Sequence, residues 1–409
     1  MKVYLSNTIE NKTVSVNIPG SKSESNRLLI LKKIYPNIFL HNLSNCDDTL
    51  ALSRGIEAKN GIVDVHHAGT AMRFLTGFFA SKKDIELTLT GSKRMQERPI
   101  KILVDALRLI GADISYVRNN GYPPLKINGK ELVLDSLSID ANISSQYISA
   151  LMLIAPSLHK GLTITLKNKI TSVPYIKMTL ELLCRIGIYC TLNNNIIKIT
   201  STKTIKDITI NIESDWSSAS YYYSLVALSE HLEITLKTFK RDSIQGDSKV
   251  VDLFKKLGVD TIFNETDNAI TLRKNQRKIE NFLNLNLIET PDIAQTIAVT
   301  CFGLGISCEL TGLKTLKIKE TDRLLALKVE LQKLGAELTI TEKSLFLKQR
   351  KIINKNIVID TYDDHRMAMS FAPLYLKVPI IINNPNVVSK SYKTFWKDLQ
   401  KIGGKVLIK

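Results

Sequence analysis

Hydrophobic positions along the chain follow two periods. Leu324, Leu327, Leu331 and Leu334 recur at three-and-four spacing, which puts them on one face of a helix, and Gly335 follows as a stop signal. Glu86-Leu87-Thr88-Leu89-Thr90 and Leu162-Thr163-Ile164-Thr165-Leu166 alternate with period two and are rich in β-branched residues, as half-buried strands are. The two kinds of run are joined in one recurring way. A helical pattern ends in leucine or isoleucine, then glycine, then a β-like run. This happens at Leu109-Ile110-Gly111-Ala112-Asp113-Ile114, Arg185-Ile186-Gly187-Ile188-Tyr189, Lys256-Leu257-Gly258-Val259-Asp260, Lys333-Leu334-Gly335-Ala336-Glu337 and Lys401-Ile402-Gly403-Gly404-Lys405. Each glycine reads as a helix C-cap with a strand directly after it. The glycines fall about 70 residues apart, with Gly55 a weaker and earlier member, so six units of that period fill the chain. The expected fold class is α/β, an array of six similar modules.

At 409 residues and 45.9 kDa the chain is too long for one ordinary core, and two domains are the expectation. No low-complexity linker or Pro/Gly-rich hinge marks a boundary, so the division is expected at the midpoint of the repeat, around residue 213. A hydrophobic fraction of 44% and a charged fraction of 23% are those of a soluble globular protein. The longest apolar run, Leu28 to Ile34, is broken by Lys32 and Lys33 and is too short to cross a bilayer. The start Met1-Lys2-Val3-Tyr4-Leu5 lacks the apolar core of a signal peptide. Cys46, Cys184, Cys190, Cys301 and Cys308 are odd in number and have no metal-ligand spacing. They are expected to be buried free thiols in a reducing cytoplasm.

A net charge of +17 points to an anionic partner, whether nucleic acid, an acidic membrane or a small polyanion. The lysines lie in scattered pairs such as Lys32-Lys33, Lys82-Lys83 and Lys255-Lys256, with no basic tract interleaved with aromatics. A nucleic-acid groove is therefore not indicated. The charge becomes informative at the predicted helix starts. Ile318-Lys319-Glu320-Thr321-Asp322-Arg323-Leu324 runs straight into the leucine-periodic helix. Thr321 is expected to cap it, leaving Lys319 and Glu320 just outside and Arg323 just inside. Such an end carries unpaired N–H groups and partial positive charge, which suit an anion.

Other starts share the pattern. Pro19-Gly20-Ser21-Lys22-Ser23-Glu24-Ser25-Asn26-Arg27 leads from a glycine turn into hydroxyls and cations, but it is not a phosphate-binding P-loop, because glycine is missing immediately before the lysine. His67-Ala68-Gly69-Thr70-Ala71-Met72-Arg73 offers small residues that let backbone approach a ligand. His66-His67 has no third partner nearby and is a poor metal site. Leu89 to Pro99 places Lys93, Arg94 and Arg98 in a strand-to-helix loop. Ser144-Ser145-Gln146 opens a helix, and Thr171-Ser172-Val173-Pro174-Tyr175 offers hydroxyls on a turn. Asp292 of Glu289-Thr290-Pro291-Asp292 begins an otherwise apolar helix, where an N-cap is the plain reading. Tyr362-Asp363-Asp364-His365-Arg366-Met367 and Ser389-Lys390-Ser391-Tyr392 add further cations at element boundaries. If the helices run parallel, their positive ends converge on a site for a ligand with several phosphates or carboxylates.

These blocks, with Tyr122-Pro123-Pro124-Leu125, Asp215 to Tyr221 and Gln245-Gly246-Asp247, occur in an order that resembles the 5-enolpyruvylshikimate-3-phosphate synthase (3-phosphoshikimate 1-carboxyvinyltransferase) family of enolpyruvyl transferases over nearly the whole chain. The resemblance implies two similar domains, each of three repeated α/β units, of the inside-out α/β barrel type. It assigns 22–212 to the side of shikimate 3-phosphate, and 1–21 with 213–409 to the side of phosphoenolpyruvate and the proton-transfer carboxylates. It implies transfer of the enolpyruvyl group of phosphoenolpyruvate to the 5-hydroxyl of shikimate 3-phosphate with release of phosphate. No metal or organic cofactor is implied, nor a nucleic-acid or membrane partner, and the enzyme is expected to be a cytoplasmic monomer and a glyphosate target.

Carried over by motif, Ser23, Arg27, Ser144, Ser145, Ser172 and Tyr175 would hold shikimate 3-phosphate. Lys22, Gly69, Arg98, Gln146, Arg323, Arg366 and Lys390 would hold phosphoenolpyruvate. Asp292 and Glu320 would handle protons, with Lys22 counted among the catalytic groups and Lys319 near both substrates. Thr315, among the substrate-binding positions, stands where the family usually has asparagine, as does His67 before Ala-Gly-Thr. A sister family transfers enolpyruvyl to a nucleotide sugar and often uses a loop cysteine, but the Gly91 to Pro99 region has none. A basic nucleic-acid-binding protein is the alternative of another class.

Overall fold

The structure of the protein, a computed structural model, describes residues 1–7, 12–142, 144–168, 170 and 172–409. It divides into two compact units, Gly20–Ile212 and Met1–Pro19 with Glu213–Lys409. The chain thus passes from one unit to the other at Pro19/Gly20 and again at Ile212/Glu213.

Each unit is built on three sheets. The strand that begins with alternating apolar residues plays the same part in five of them. Glu86–Thr90 pairs parallel with Asn60–Asp64 and antiparallel with Leu125–Asn128. Leu162–Lys167 does the same with Ser136–Asp140 and Ile196–Ile199. Leu232–Lys237, Ser307–Thr311 and Ile380–Asn383 repeat the arrangement in the other unit, each with one parallel and one antiparallel neighbour. Among the described residues the sixth sheet keeps only its parallel pair, Ile38–His41 with Ile208–Asn211. Period-two alternation explains the facing: Leu162, Ile164 and Leu166 are buried while Thr163 and Thr165 are half-exposed.

Helices fall into two classes. Those after the first strand of a module are buried on nearly every side. In Gly69–Ala80 only Thr70 escapes burial, in Ser145–Ile154 only Gln146, and in Trp216–Leu228 only Ser217. The last two, Ala294–Leu304 and His365–Phe371, are buried but for Leu304. Within each unit these helices pack on one another, with Lys22–Ile34 completing the first set. Helices are inside and sheets outside, so a helix that is apolar all round is what the position demands. The polar exceptions Thr70, Gln146 and Ser217 all lie in a first turn.

Helices of the second class are amphipathic and end at the repeat glycines. Gly111, Gly187, Gly258, Gly335 and Gly403 have φ of 111, 86, 87, 98 and 107°, the left-handed region where a side chain is strained. Gly55 departs from that pattern. It is the last residue of the Asp47–Gly55 helix, where an added Cβ would meet Leu75 and Val63, so its lack of a side chain serves packing. The leucine-periodic segment forms Arg323–Lys333, with Leu324, Leu327, Leu331 and Leu334 buried. Its cap is Asp322 and not Thr321: the Asp322 carboxylate accepts from the Leu325 amide at 3.1 Å. A carboxylate also complements the positive helix end, which a hydroxyl does not.

Candidate active site

In the unit containing Glu213–Lys409, charged side chains from four chain segments meet. Asp292 lies in the 3-10 turn Pro291–Ile293, ahead of Ala294–Leu304. The N-cap positions of that turn and of the helix are Thr290 and Ile293, so Asp292 is not the N-cap. Its carboxylate instead lies 3.0 Å from Arg323 Nη1, 3.4 Å from Lys319 Nζ and 3.2 Å from Arg366 Nη2. Glu320 contacts Arg323 Nη2 at 2.9 Å and Lys390 Nζ at 3.0 Å. Asp364 caps His365–Phe371 through the Arg366 amide at 2.8 Å and grips Arg323 through Nε at 2.6 Å and Nη2 at 3.4 Å. Arg366 also donates to the Asp292 carbonyl at 2.8 Å.

Four cations, Lys319, Arg323, Arg366 and Lys390, thus face three carboxylates, Asp292, Glu320 and Asp364. Burial alone would push the Asp292 carboxyl up. Arg366, Lys319 and Arg323 outweigh it and hold the group well below the usual carboxylate range. Burial likewise opposes the charge on Arg323, but Asp364, Glu320 and Asp292 override it and raise its pKa. Beside this cluster, Asp247 accepts from the Ser217 hydroxyl. Burial, and then the charge of Asp292, push its carboxyl up to about 7. The arrangement is a surplus of fixed cations with two carboxylates directly among them, suited to hold a small polyanion and exchange protons with it.

The other unit holds a second group at helix starts. Lys22 opens Lys22–Ile34 and pairs with Asp48 at 3.1 Å. Arg27 is buried. It donates through Nε to Thr179 at 2.8 Å, through Nη2 to Ser149 at 3.1 Å and the Tyr175 carbonyl at 3.3 Å, and through Nη1 to the Ser23 carbonyl at 2.9 Å. Burial pulls its pKa down to about 10. Its position ties Ser23 and Tyr175 into one network, although the sequence reading foresaw neither Ser149 nor Thr179. Ser144 caps the Ser145–Ile154 helix, accepting from the Gln146 amide at 3.3 Å, and the Gln146 side chain donates to Thr70 at 3.3 Å. Ser172 sits in the left-handed region at φ 54°, immediately before Val173–Arg185. Thr171 lies outside the described residues.

Gly69 and Arg98 form the tightest approach. An added Cβ at Gly69 would lie 2.6 Å from Arg98 Nη1. Arg98 is buried, and its Nε has no hydrogen-bond partner among the described residues. A buried cation with an unmet donor beside a helix N-terminus is prepared for an anion. His67 Nδ1 lies 2.9 Å from Ser92 Oγ. The Thr315 hydroxyl is buried and has no hydrogen-bond partner among the described residues. Asp364 and Asp247 are the acidic residues the sequence reading left out of the site. A signal for Asp364 existed in the Asp-His-Arg run at a helix start, but its hold on Arg323 spans 41 positions and has no local mark.

A family model described as EPSP synthase (3-phosphoshikimate 1-carboxyvinyltransferase) matches residues 40–399. A relative named 3-phosphoshikimate 1-carboxyvinyltransferase from Bacteroides fragilis (strain YCH46) is 44% identical over 404 residues, covering 98% of each chain. One of the same name from Shewanella baltica (strain OS155 / ATCC BAA-1091) is 33% identical over 420 residues, covering 95% of this chain and 96% of its own. In fold, the chain is similar to the solved EPSP synthase from Acinetobacter baumannii, with a TM-score of 0.78 at 20% identity and all of both chains covered.

Proposed function

Because the chain belongs to the EPSP synthase family, we propose that it transfers the enolpyruvyl group of phosphoenolpyruvate to the 5-hydroxyl of shikimate 3-phosphate and releases phosphate. This is a step of the shikimate pathway to chorismate and the aromatic amino acids. The observation that carries the reading is the cluster in which Lys319, Arg323, Arg366 and Lys390 surround Asp292 and Glu320.

The chemistry has two halves. In addition, the methylene carbon of phosphoenolpyruvate gains a proton and the substrate hydroxyl, losing its own, bonds to the neighbouring carbon. In elimination, phosphate leaves that carbon and a proton leaves the new methyl group. Both halves need carboxyl groups next to the cations that hold the substrate. Asp292, whose acidity is raised by three cations, starts ionised and is suited to accept a proton. Glu320, bound to Arg323 and Lys390, is the second proton carrier. Arrival of phosphoenolpyruvate draws Arg366 and Lys390 toward its own anionic groups. The carboxylates then lose counter-charge and their proton affinity rises. Substrate binding therefore prepares the acid and base.

Within the Gly20–Ile212 unit, Lys22, Gly69, Arg98 and Gln146 are proposed for phosphoenolpyruvate, with Lys22 also a catalytic cation. Ser23, Arg27, Ser144, Ser145, Ser172 and Tyr175 are proposed for shikimate 3-phosphate. The four hydrogen bonds of Arg27 to its own chain favour a role in aligning Ser23 and Tyr175 over a direct grip. Lys319 is proposed to lie near both substrates, and Thr315 to offer shikimate 3-phosphate its hydroxyl, which has no partner among the described residues. Glyphosate is proposed to compete at Gly69 and Arg98, and the protein to act as a cytoplasmic monomer on small molecules alone. The experiment is phosphate release from phosphoenolpyruvate with shikimate 3-phosphate, with a UDP-sugar as control acceptor. Turnover with the UDP-sugar alone would transfer the reading to the sister reaction.

A further inference from the structure

Two cysteines break the expectation that the thiols are buried. Cys46, Cys301 and Cys308 are buried, but Cys184 is exposed and Cys190 half-exposed. Their sulfurs lie 3.1 Å apart. Cys184 is in the last turn of Val173–Arg185, and Cys190 begins the strand Cys190–Asn193.

The repeat explains why they meet. Between them lies Gly187, one of the five capping glycines, with φ 86°. The turn is fixed by the Gly187 amide donating to the Cys184 carbonyl at 2.9 Å and the Ile188 amide donating to the Leu183 carbonyl at 3.0 Å. Cys184 is three residues before the glycine and Cys190 three after. The same two positions touch in other repeats. Around Gly111, Arg108 Nε donates to the Ile114 carbonyl at 2.9 Å. Around Gly403, Gln400 Nε2 donates to the Val406 carbonyl at 3.1 Å. The turn thus brings those positions into contact around Gly111 and Gly403 as it does around Gly187, and at Gly187 both are thiols. The sulfurs need close by only about 1 Å to reach bonding distance.

We propose that Cys184 and Cys190 are a reversible dithiol–disulfide site, oxidised by low-molecular-weight disulfides of the glutathione class. The exposed Cys184 thiolate attacks one sulfur of the oxidant, forming a mixed disulfide and expelling one thiolate. Cys190 then gives up its proton and attacks Cys184 Sγ, forming the intramolecular bond and expelling the second thiol. The protein loses two protons and two electrons, which the oxidant takes up as its disulfide becomes two thiols. The order follows exposure. Cys190 donates toward the Leu180 carbonyl at 3.4 Å, and burial, then its contact with Cys184, push its thiol up to about 12, so it is the slower thiol to ionise. The bond would join the last turn of Val173–Arg185 to the next strand, in the helix whose Tyr175 and Thr179 hold Arg27. The site is independent of the proposed reaction.

The test is equilibration of the folded full-length protein in graded mixtures of glutathione disulfide and glutathione, acid quenching, alkylation in denaturant and peptide mass spectrometry. The expected product is a Cys184–Cys190 peptide that lacks two hydrogens, resists alkylation and reverts in excess thiol, while Cys46, Cys301 and Cys308 stay alkylatable. It should form at a disulfide-to-thiol ratio at least about tenfold lower than in the denatured chain, because the turn preorganises the pair. Cys190→Ser should retain a stable glutathione adduct at Cys184, and Cys184→Ser should acquire none. A persistent mixed disulfide in the unsubstituted protein, or equal ratios for folded and denatured chains, would overturn the proposal.

Discussion

Replacing Asp292 by asparagine separates binding from chemistry in a way the ion cluster makes specific. The carboxylate lies 3.0 to 3.4 Å from three cations, Arg323, Lys319 and Arg366. At an effective dielectric of about 20, each such pair is worth about 5 kcal/mol before desolvation is set against it. The cluster falls from four cations against three carboxylates to four against two, while the amide oxygen can still accept from an arginine. An anionic substrate then meets less competition for Lys319, Arg323 and Arg366. Phosphoenolpyruvate binding in the presence of shikimate 3-phosphate should therefore be unchanged or up to about tenfold tighter, a difference of about 1.4 kcal/mol. Turnover should fall by about 10²–10⁴-fold, the range that general acid–base groups contribute. Rapid-quench turnover and equilibrium binding on the same preparation give both numbers. Turnover within a few-fold of the parent, or binding weakened in proportion to turnover, would refute the assignment of Asp292 to proton transfer.

Three further outcomes are expected. Glu320→Gln should lose turnover by about 10²–10⁴-fold and deuterium uptake from heavy water into the methylene group with it, and retention of both within a few-fold would leave Glu320 a structural charge. Gly69→Ala places a methyl 2.6 Å from Arg98 Nη1, so the guanidinium has to shift. Glyphosate inhibition should weaken more than the KM for phosphoenolpyruvate rises, and equal changes in the two constants would contradict this. Asp247, with a folded pKa raised to about 7, costs stability as pH rises from its unfolded value of about 3.9 through 7. Asp247→Asn should be stabilised relative to the parent at pH 8 to 9 and lose that advantage progressively as pH falls from 7 to about 4, as read by urea unfolding; a difference independent of pH would contradict the raised value. Asp292 has the opposite sign, its folded pKa lying below the unfolded one. Its contribution is present at neutral pH and is lost only as pH falls below about 3.9 toward the folded value.

The six-fold organisation was legible because its signal is local. A glycine at a left-handed φ is required by the turn itself, so Gly111, Gly187, Gly258, Gly335 and Gly403 marked the repeats without any knowledge of packing. Gly55 misled because a glycine selected for close helix packing looks the same in sequence as one selected for φ. At the Arg323 helix, the choice of Asp322 over Thr321 as cap is settled by one residue of register, which periodicity does not resolve. Residues that bear charge at helix starts were found, but their partners were not. Asp364 to Arg323, Ser149 and Thr179 to Arg27, and Ser217 to Asp247 are contacts across 30 to 152 positions. The cysteine pair was close in sequence yet missed. Its meaning depends on which side of a capped turn faces the next strand.

In the proposed reaction, this cation-rich, carboxylate-bearing site makes the carbon–oxygen bond between phosphoenolpyruvate and the 5-hydroxyl of shikimate 3-phosphate. Mixing the purified protein with both substrates and following phosphate by absorbance and the enolpyruvyl ether by NMR tests it directly. One phosphate is expected per ether formed, with no phosphate when shikimate 3-phosphate is omitted or replaced by a UDP-sugar. Phosphate release that does not need shikimate 3-phosphate, or none with both substrates present, would contradict it.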